Sequence, residues 1–191
     1  LMVVEVILVL VMLVLVVNSF AKYRRQIIRY ATTDELTGLS NRKSFHTEFS
    51  EFTQSENRPQ FSLFLLDIDY FKQINDNYGH AAGDHALKLL AEKIMEMVKE
   101  TGGCAGRWGG DEFIVISGNA DSRYAEELRR SIISLIEKEN RHGVNPFKFS
   151  VSIGYVLTDP KSKRTVNDYV DEADRMMYEI KNEYHRNNPS D

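Results

Sequence analysis

Arg107-Trp108-Gly109-Gly110-Asp111-Glu112-Phe113 runs two glycines into two carboxylates, with the apolar residues Phe113, Ile114, Val115 and Ile116 behind them. Gly-Gly between two short β-rich runs reads as a hairpin turn, because glycine takes positive φ at little steric cost and lets a ligand approach the bare backbone. The predicted strands are residues 104–107 and 111–117. Asp111 and Glu112 then stand at the lip of the turn, where a metal or a phosphate can reach them. A lone match of this length also suits an ordinary solvated turn, so the rest of the chain decides its meaning.

Upstream, residues 61–66 form a short apolar run that ends in Asp67-Ile68-Asp69 and reads as a buried strand with two acids at its carboxyl end. A helix is expected from about residue 41 to 56. A second, amphipathic helix follows Asp84, with Leu87, Leu90, Ala91, Ile94, Met95 and Val98 on one face and Asp84 as its candidate N-cap. Beyond the hairpin come a helix over about 122–141, a strand over 147–157, a helix over about 166–184 and a disordered tail, 187–191. The order strand, helix, strand, strand, helix, strand is that of the ferredoxin-like split βαβ arrangement. This is an α+β fold, expected here as an antiparallel sheet with helices on one face. Its first strand and its hairpin are neighbours at the sheet centre, which brings Asp67 close to Asp111 and Glu112.

The chain has 191 residues and 42% apolar content, enough for one core and an appendage. The appendage is the N-terminus, where residues 1–17 are almost wholly apolar, interrupted by Glu5, and are followed by Lys22, Arg24, Arg25 and Arg29. That pattern predicts a truncated membrane span with its positive flank in the cytoplasm. A signal peptide fits less well, since the bases follow the apolar run. Leu13, Val16, Phe20, Tyr23, Ile27 and Tyr30 step by threes and fours, so the same helix can continue over residues 18–33 as a short coiled-coil linker. The expected location is the inner membrane, with a domain over 34–186 in the cytoplasm and a missing sensor upstream.

The net charge is −4, and the first 33 residues carry four bases against one acid, so the acidic excess lies in the domain. An acidic domain is a poor partner for a nucleic-acid polymer. It can take a small anionic substrate if divalent metal and a few placed cations offset its carboxylates. Cys104 is the single cysteine, which excludes an intramolecular disulfide and a thiolate metal cluster.

Two carboxylates from adjacent strands suit one or two hard divalent cations, with nucleotide phosphates filling the remaining positions. Polar residues crowd the segment between the two strands: Lys72, Asn75, Asp76, Gly79-His80 and Gly83-Asp84. Each has a plain alternative, with Asn75 a helix cap, Lys72 a solvated cation and Asp84 an N-cap.

Six ordered blocks carry a resemblance: Asp34-x-Leu36-Thr37-Gly38-Leu39-x-Asn41-Arg42, Asp67-x-Asp69-x-Phe71-Lys72-x-x-Asn75-Asp76, Gly79-His80-x-x-Gly83-Asp84, the hairpin stretch itself, Ser152-x-Gly154, and Ala173-Asp174-x-x-x-Tyr178-x-x-Lys181. Over residues 34 to about 186 the chain resembles the GGDEF-domain diguanylate cyclases, with the nucleotidyl-cyclase or palm type of fold. The resemblance implies condensation of two GTP into cyclic di-GMP with release of two pyrophosphates. It implies Mg²⁺, or Mn²⁺, on Asp67, the Ile68 carbonyl and Asp111, with Glu112 nearby, and Asp111 as base for the 3′-hydroxyl. Asn75 and Asp84 would read the guanine edge, and Lys72 and Lys181 would balance phosphate charge. His80, Phe71, Gly109 and Gly110 complete the implied substrate-binding set.

Each domain of the family holds one GTP, so the resemblance also implies a homodimer, which the N-terminal helix would promote. The family's Arg-x-x-Asp product-inhibition motif is replaced here by Glu100-Thr101-Gly102-Gly103, and no such site is expected. His185, followed by Arg186, stands where the family tends to have an arginine. A catalytically silent relative that binds GTP or cyclic di-GMP is the alternative reading. A class III nucleotidyl cyclase fits the ordered blocks less well.

Overall fold

The computed structural model describes residues 2–54, 60–118, 121–143, 145–158 and 162–187. Five strands form one sheet in the order β1-β3-β4-β2-β5. The strands are β1 (Ser40–Asn41), β2 (Ser62–Ile68), β3 (Cys104–Arg107), β4 (Glu112–Ser117) and β5 (Val151–Leu157). The helices are α1 (Met2–Thr32), α2 (Arg42–Gln54), α3 (Phe71–Tyr78), α4 (His80–Thr101), α5 (Ser122–His142) and α6 (Val166–Asn187). β2 pairs antiparallel with both β4 and β5, and β3 closes the hairpin with β4. The ferredoxin-like core expected from the element order is therefore present. The sheet is mixed, however, because β1 adds to the edge parallel to β3.

The helices cover both faces, where one was expected. On one face Phe64, Leu66 and Ile68 of β2 join Phe113, Val115 and Ile153 under α4 (Leu87, Leu90, Ile94) and α5 (Ile132, Ile136). On the other, Leu63 and Leu65 join Ile114, Ile116 and Val156 under α2 (Phe45, Phe49) and α6 (Val170, Ala173, Met177). A strand buried on both faces reads as a continuous apolar run because neither side faces water, and residues 63–66 of β2 are such a run.

Three glycines set the spacing. Gly79 (φ 83°) breaks the chain between α3 and α4, so α4 starts at His80 and Asp84 lies inside it instead of capping it. A Cβ at Gly83 would collide with the Asn75 side chain, so this glycine allows α4 to cross against α3. A Cβ at Gly154 would collide with the Ala173 carbonyl, so α6 lies directly on β5.

α1 is a continuous 31-residue helix that leaves the domain. Among the described residues no helix is long and apolar enough to cross a membrane, so the expected span is not found. The apolar part of α1 runs to Val17, and the remainder carries the basic cluster. The expected coiled-coil positions face outward, with Phe20 67% and Tyr23 64% exposed. The anticipated end of α2 at residue 56 and the tail beyond 187 lie outside the described residues.

Because α6 rests on Gly154, Gly154→Ala should force the helix off the sheet and lower stability by about 1–3 kcal/mol. Urea denaturation measures this, and an unchanged midpoint would contradict the close contact.

Candidate active site

The β2–β4 register places Asp67 opposite Glu112, and the β2–β5 register places it opposite Ser152. Asp111 precedes β4, and its carbonyl accepts from the Ile68 amide at 3.4 Å. The acids at the end of β2 and at the hairpin lip thus come together across one strand pair, as the element order predicts. Ile68 is buried at the end of β2, between Asp67 and Asp69.

Neither Gly109 nor Gly110 has positive φ, so backbone handedness does not explain the glycine pair. Space does at the first of them. A Cβ at Gly109 would lie 2.7 Å from Glu112 Oε2, so the glutamate carboxyl folds over bare backbone, while Gly110 stays open. The Glu112 carbonyl accepts from the Trp108 amide at 2.8 Å and from the Gly109 amide at 3.3 Å.

The turn is braced from two sides. Trp108 is buried against α2, with the Phe45 ring edge-on at 6.3 Å, His46 at 5.2 Å and the Arg42 guanidinium 4.3 Å above the indole. Arg107 donates to the Gly110 carbonyl through Nε (3.1 Å) and Nη2 (2.6 Å), and through Nη1 to both Asp34 oxygens at 3.2 Å. Asp34 also accepts from the Thr37 amide (2.9 Å) and hydroxyl (2.7 Å). Burial works against the Asp34 charge, but these Thr37 bonds and Arg107 outweigh it and hold the carboxyl below its ordinary range. Thr33 and Asn41 tie the same corner to α1 through the carbonyls of Arg29 and Ala31. The first motif block is therefore a mechanical joint between α1 and the hairpin turn.

Charge is concentrated at the strand ends. Burial raises the Asp67 carboxyl above its usual range; Lys181 opposes this, while Asp111 and Asp69 add to it. Burial also raises Glu112, helped by Asp67, Asp111 and Asp174 against Arg42. Lys181 of α6 donates to Asp67 Oδ1 at 2.9 Å and sits 3.8 Å from Asp69 Oδ1. Carboxylates crowded until their ionised forms are disfavoured, with a lysine ammonium drawn among them, fit a divalent cation. The donors are all oxygen, as a hard cation prefers. Among the described residues no three His, Cys, Asp or Glu side chains converge into a complete cage.

On α3 and α4, Gly83 lets Asn75 lie against the turn of helix that carries Asp84. The two expected guanine readers are thereby neighbours. Lys72 and His80 are exposed, and Phe71 packs partly against the core. The side chains of His185 and Arg186 lie outside the described ones.

Sequence reasoning missed the clamp on Asp69. Its Oδ2 accepts from the Ser150 hydroxyl at 2.6 Å, its Oδ1 from the Ser152 hydroxyl at 2.5 Å, and its amide donates to the Ser150 carbonyl at 3.0 Å. Ser152 was visible as part of a motif without a role, and nothing in the sequence marks Ser150. Next in the chain, Tyr70 takes φ 55°, a left-handed conformation uncommon for a residue with a side chain. Burial, with Glu48 beside it, pushes the Cys104 thiol up to about 12, so it stays protonated.

A ferredoxin-like sheet with acids gathered at its central strand ends suits a domain of the nucleotidyl cyclase class. The model of the family "Diguanylate cyclase, GGDEF domain" matches residues 31–187. The chain belongs to this GGDEF family. It is similar to Diguanylate cyclase VdcA of Vibrio cholerae, 36% identical over 156 residues, covering 80% of this chain and 44% of that protein. It is also similar to an uncharacterized membrane protein of Staphylococcus aureus, 38% identical over 157 residues, with 78% and 43% covered. The chain thus spans less than half the length of these two relatives. Among solved structures it resembles the coiled coil and GGDEF domain of DgcB from Caulobacter crescentus in complex with c-di-GMP. There the TM-score is 0.73 at 28% identity, covering 87% of this chain and 88% of that one.

The raised Glu112 carboxyl has a consequence for stability. Its folded pKa lies above the unfolded value, so the ionised form opposes folding at neutral pH, and that penalty fades as pH falls through the raised value. Glu112→Gln should therefore stabilise the metal-free domain at pH 7, by only about 0.2–0.5 kcal/mol because solvent screens the partly exposed carboxyl. The gain should shrink toward zero near pH 4, about the ordinary carboxylate value. Urea denaturation at both pH values checks this, and a less stable variant at pH 7 would contradict it.

Proposed function

We propose that the domain is a diguanylate cyclase, which joins two GTP into cyclic di-GMP and releases two pyrophosphates. The observation that carries the reading is the strand-end cluster of Asp67, Asp111 and Glu112 with Lys181 among them. Asp67, the Ile68 carbonyl and Asp111, with Glu112 beside them, are the groups that would hold Mg²⁺ or Mn²⁺. When bound, the metal supplies polarisation of the α-phosphate and a lowered pKa for the attacking hydroxyl.

Asp111 accepts the proton of the ribose 3′-hydroxyl as its oxygen bonds to the α-phosphorus of the other GTP and the bond to the β-phosphate breaks. Lys72 and Lys181 balance the charge that moves onto the departing pyrophosphate. Asn75 and Asp84 read guanine, whose N1 and N2 protons need acceptors. The open backbone at Gly110 and the bare Gly109 allow the nucleotide to approach the turn, with Phe71 and His80 completing the surface around it.

Each domain has one such cluster, so the two 3′–5′ bonds are made where two copies face each other. α1 brings them together, since a paired helix raises the local concentration of the second half-site. The outward Phe20 and Tyr23 support that pairing. The reading includes a cytoplasmic domain held near the inner membrane, supported by the basic cluster after the apolar stretch and by the membrane-protein name of the Staphylococcus aureus relative.

Product separation after incubation of the purified chain with GTP and Mg²⁺ tests the activity. Asp111→Asn should lower turnover by roughly a thousandfold with the fold intact, because an amide is a poor metal ligand and no base. GTP binding without cyclic di-GMP formation in the wild type would make the domain a silent binding module instead.

Feedback through the family's product site is absent from this reading. Gly102 caps α4 in the left-handed region, and a side chain at Gly103 would collide with the Ile116 carbonyl. Added cyclic di-GMP should leave the initial rate unchanged, and submicromolar inhibition that depends on residues 100–103 would contradict this.

A further inference from the structure

Asp69 is the one acid of the cluster that the proposed metal set leaves unused, and it is also the best held. Both of its oxygens accept serine hydroxyls from β5 and the residue before it, and its amide is bonded to the same segment. The carboxylate is therefore fixed to the sheet, while its left-handed neighbour Tyr70 turns the chain away into α3. Lys181 is fixed at its other end, since α6 lies on Gly154 with no room to shift. Its ammonium is shared unequally, 2.9 Å from Asp67 and 3.8 Å from Asp69, and all three side chains are 19–30% exposed. Lysine and a divalent cation compete for the same Asp67 oxygens. An ammonium expelled from Asp67 toward water would no longer be placed for phosphate.

We propose that Asp69 is a positioning residue for Lys181: it retains the ammonium beside the cluster when a divalent cation takes Asp67, so that Lys181 is delivered to nucleotide phosphate instead of being lost to solvent. Lys181 thus has two stations. On Asp67 it neutralises the cluster in the metal-free protein, and on Asp69 it stands clear of the metal. The inference rests on the metal set proposed above.

Calorimetric titration of Mn²⁺ alone, without nucleotide, into the full chain tests it through binding and not turnover. Lys181→Met should bind Mn²⁺ about fivefold tighter than wild type, the factor expected when a partly buried ion pair no longer has to be broken. With a non-hydrolysable GTP analogue present the order should reverse, because the phosphate contact is gone. Asp69→Asn should weaken Mn²⁺ binding by a similar factor, and most of that loss should vanish in the Asp69→Asn/Lys181→Met double variant. Ser152→Ala, which keeps both charges and frees the carboxylate, should act in the same direction as Asp69→Asn but more weakly.

Equal effects of Asp69→Asn with and without Lys181 would overturn the proposal, as would a Lys181→Met variant that binds Mn²⁺ no tighter than wild type. Failure of every protein to bind Mn²⁺, with or without nucleotide, would instead overturn the metal site and the proposed function with it.

Discussion

The structure is organised around negative charge collected where the central strand pair ends. Register alone puts Asp67 opposite Glu112, and the hairpin lip adds Asp111. Burial and mutual repulsion disfavour the ionised forms of Asp67 and Glu112, so a cation beside them is favoured. Lys181 answers that need within the chain. It reaches Asp67 because α6 lies against β5, and α6 lies there because position 154 has no side chain. Packing at one glycine, against Ala173, thus governs the electrostatics of a site about two helical turns further along α6.

The hairpin is held as firmly as the acids it carries. Trp108 is wedged between Phe45, His46 and Arg42, and Arg107 links the Gly110 carbonyl to Asp34 at the foot of α1. The joint draws on two stretches far apart in sequence, residues 34–46 and 107–110, with Phe45 and His46 lying just beyond the first motif block. These contacts run without a break from the end of α1 through Asp34 and Arg107 to the turn that carries the acidic lip.

Much of this was legible before the structure. The unbroken apolar run of residues 63–66 followed by Asp67, and the Gly-Gly hairpin with its acids, marked the central pair and the acids that meet at its end. The same run carried the signal for helices on both faces, since a half-exposed strand alternates. β1 was missed because two residues have no periodicity, and α3 because its eight residues sit inside a polar motif that masks a helical pattern. Asp84 was placed at a helix start because the turn at Gly79 was not recognised. The clamp on Asp69 was out of reach, since Ser150 and Ser152 lie more than eighty residues away and meet it only through register. At the N-terminus the apolar composition was read as a truncated span, and among the described residues no helix is long and apolar enough to cross a membrane.

The central claim is that each domain carries half of a reaction site and that α1 exists to join the halves. Specific activity measured against protein concentration, alongside sedimentation of the same samples, tests it most directly. The account predicts that turnover per domain rises in proportion to concentration while monomers dominate and levels off once dimers fill. Turnover per domain that stays constant through the range where sedimentation shows only monomer would contradict it.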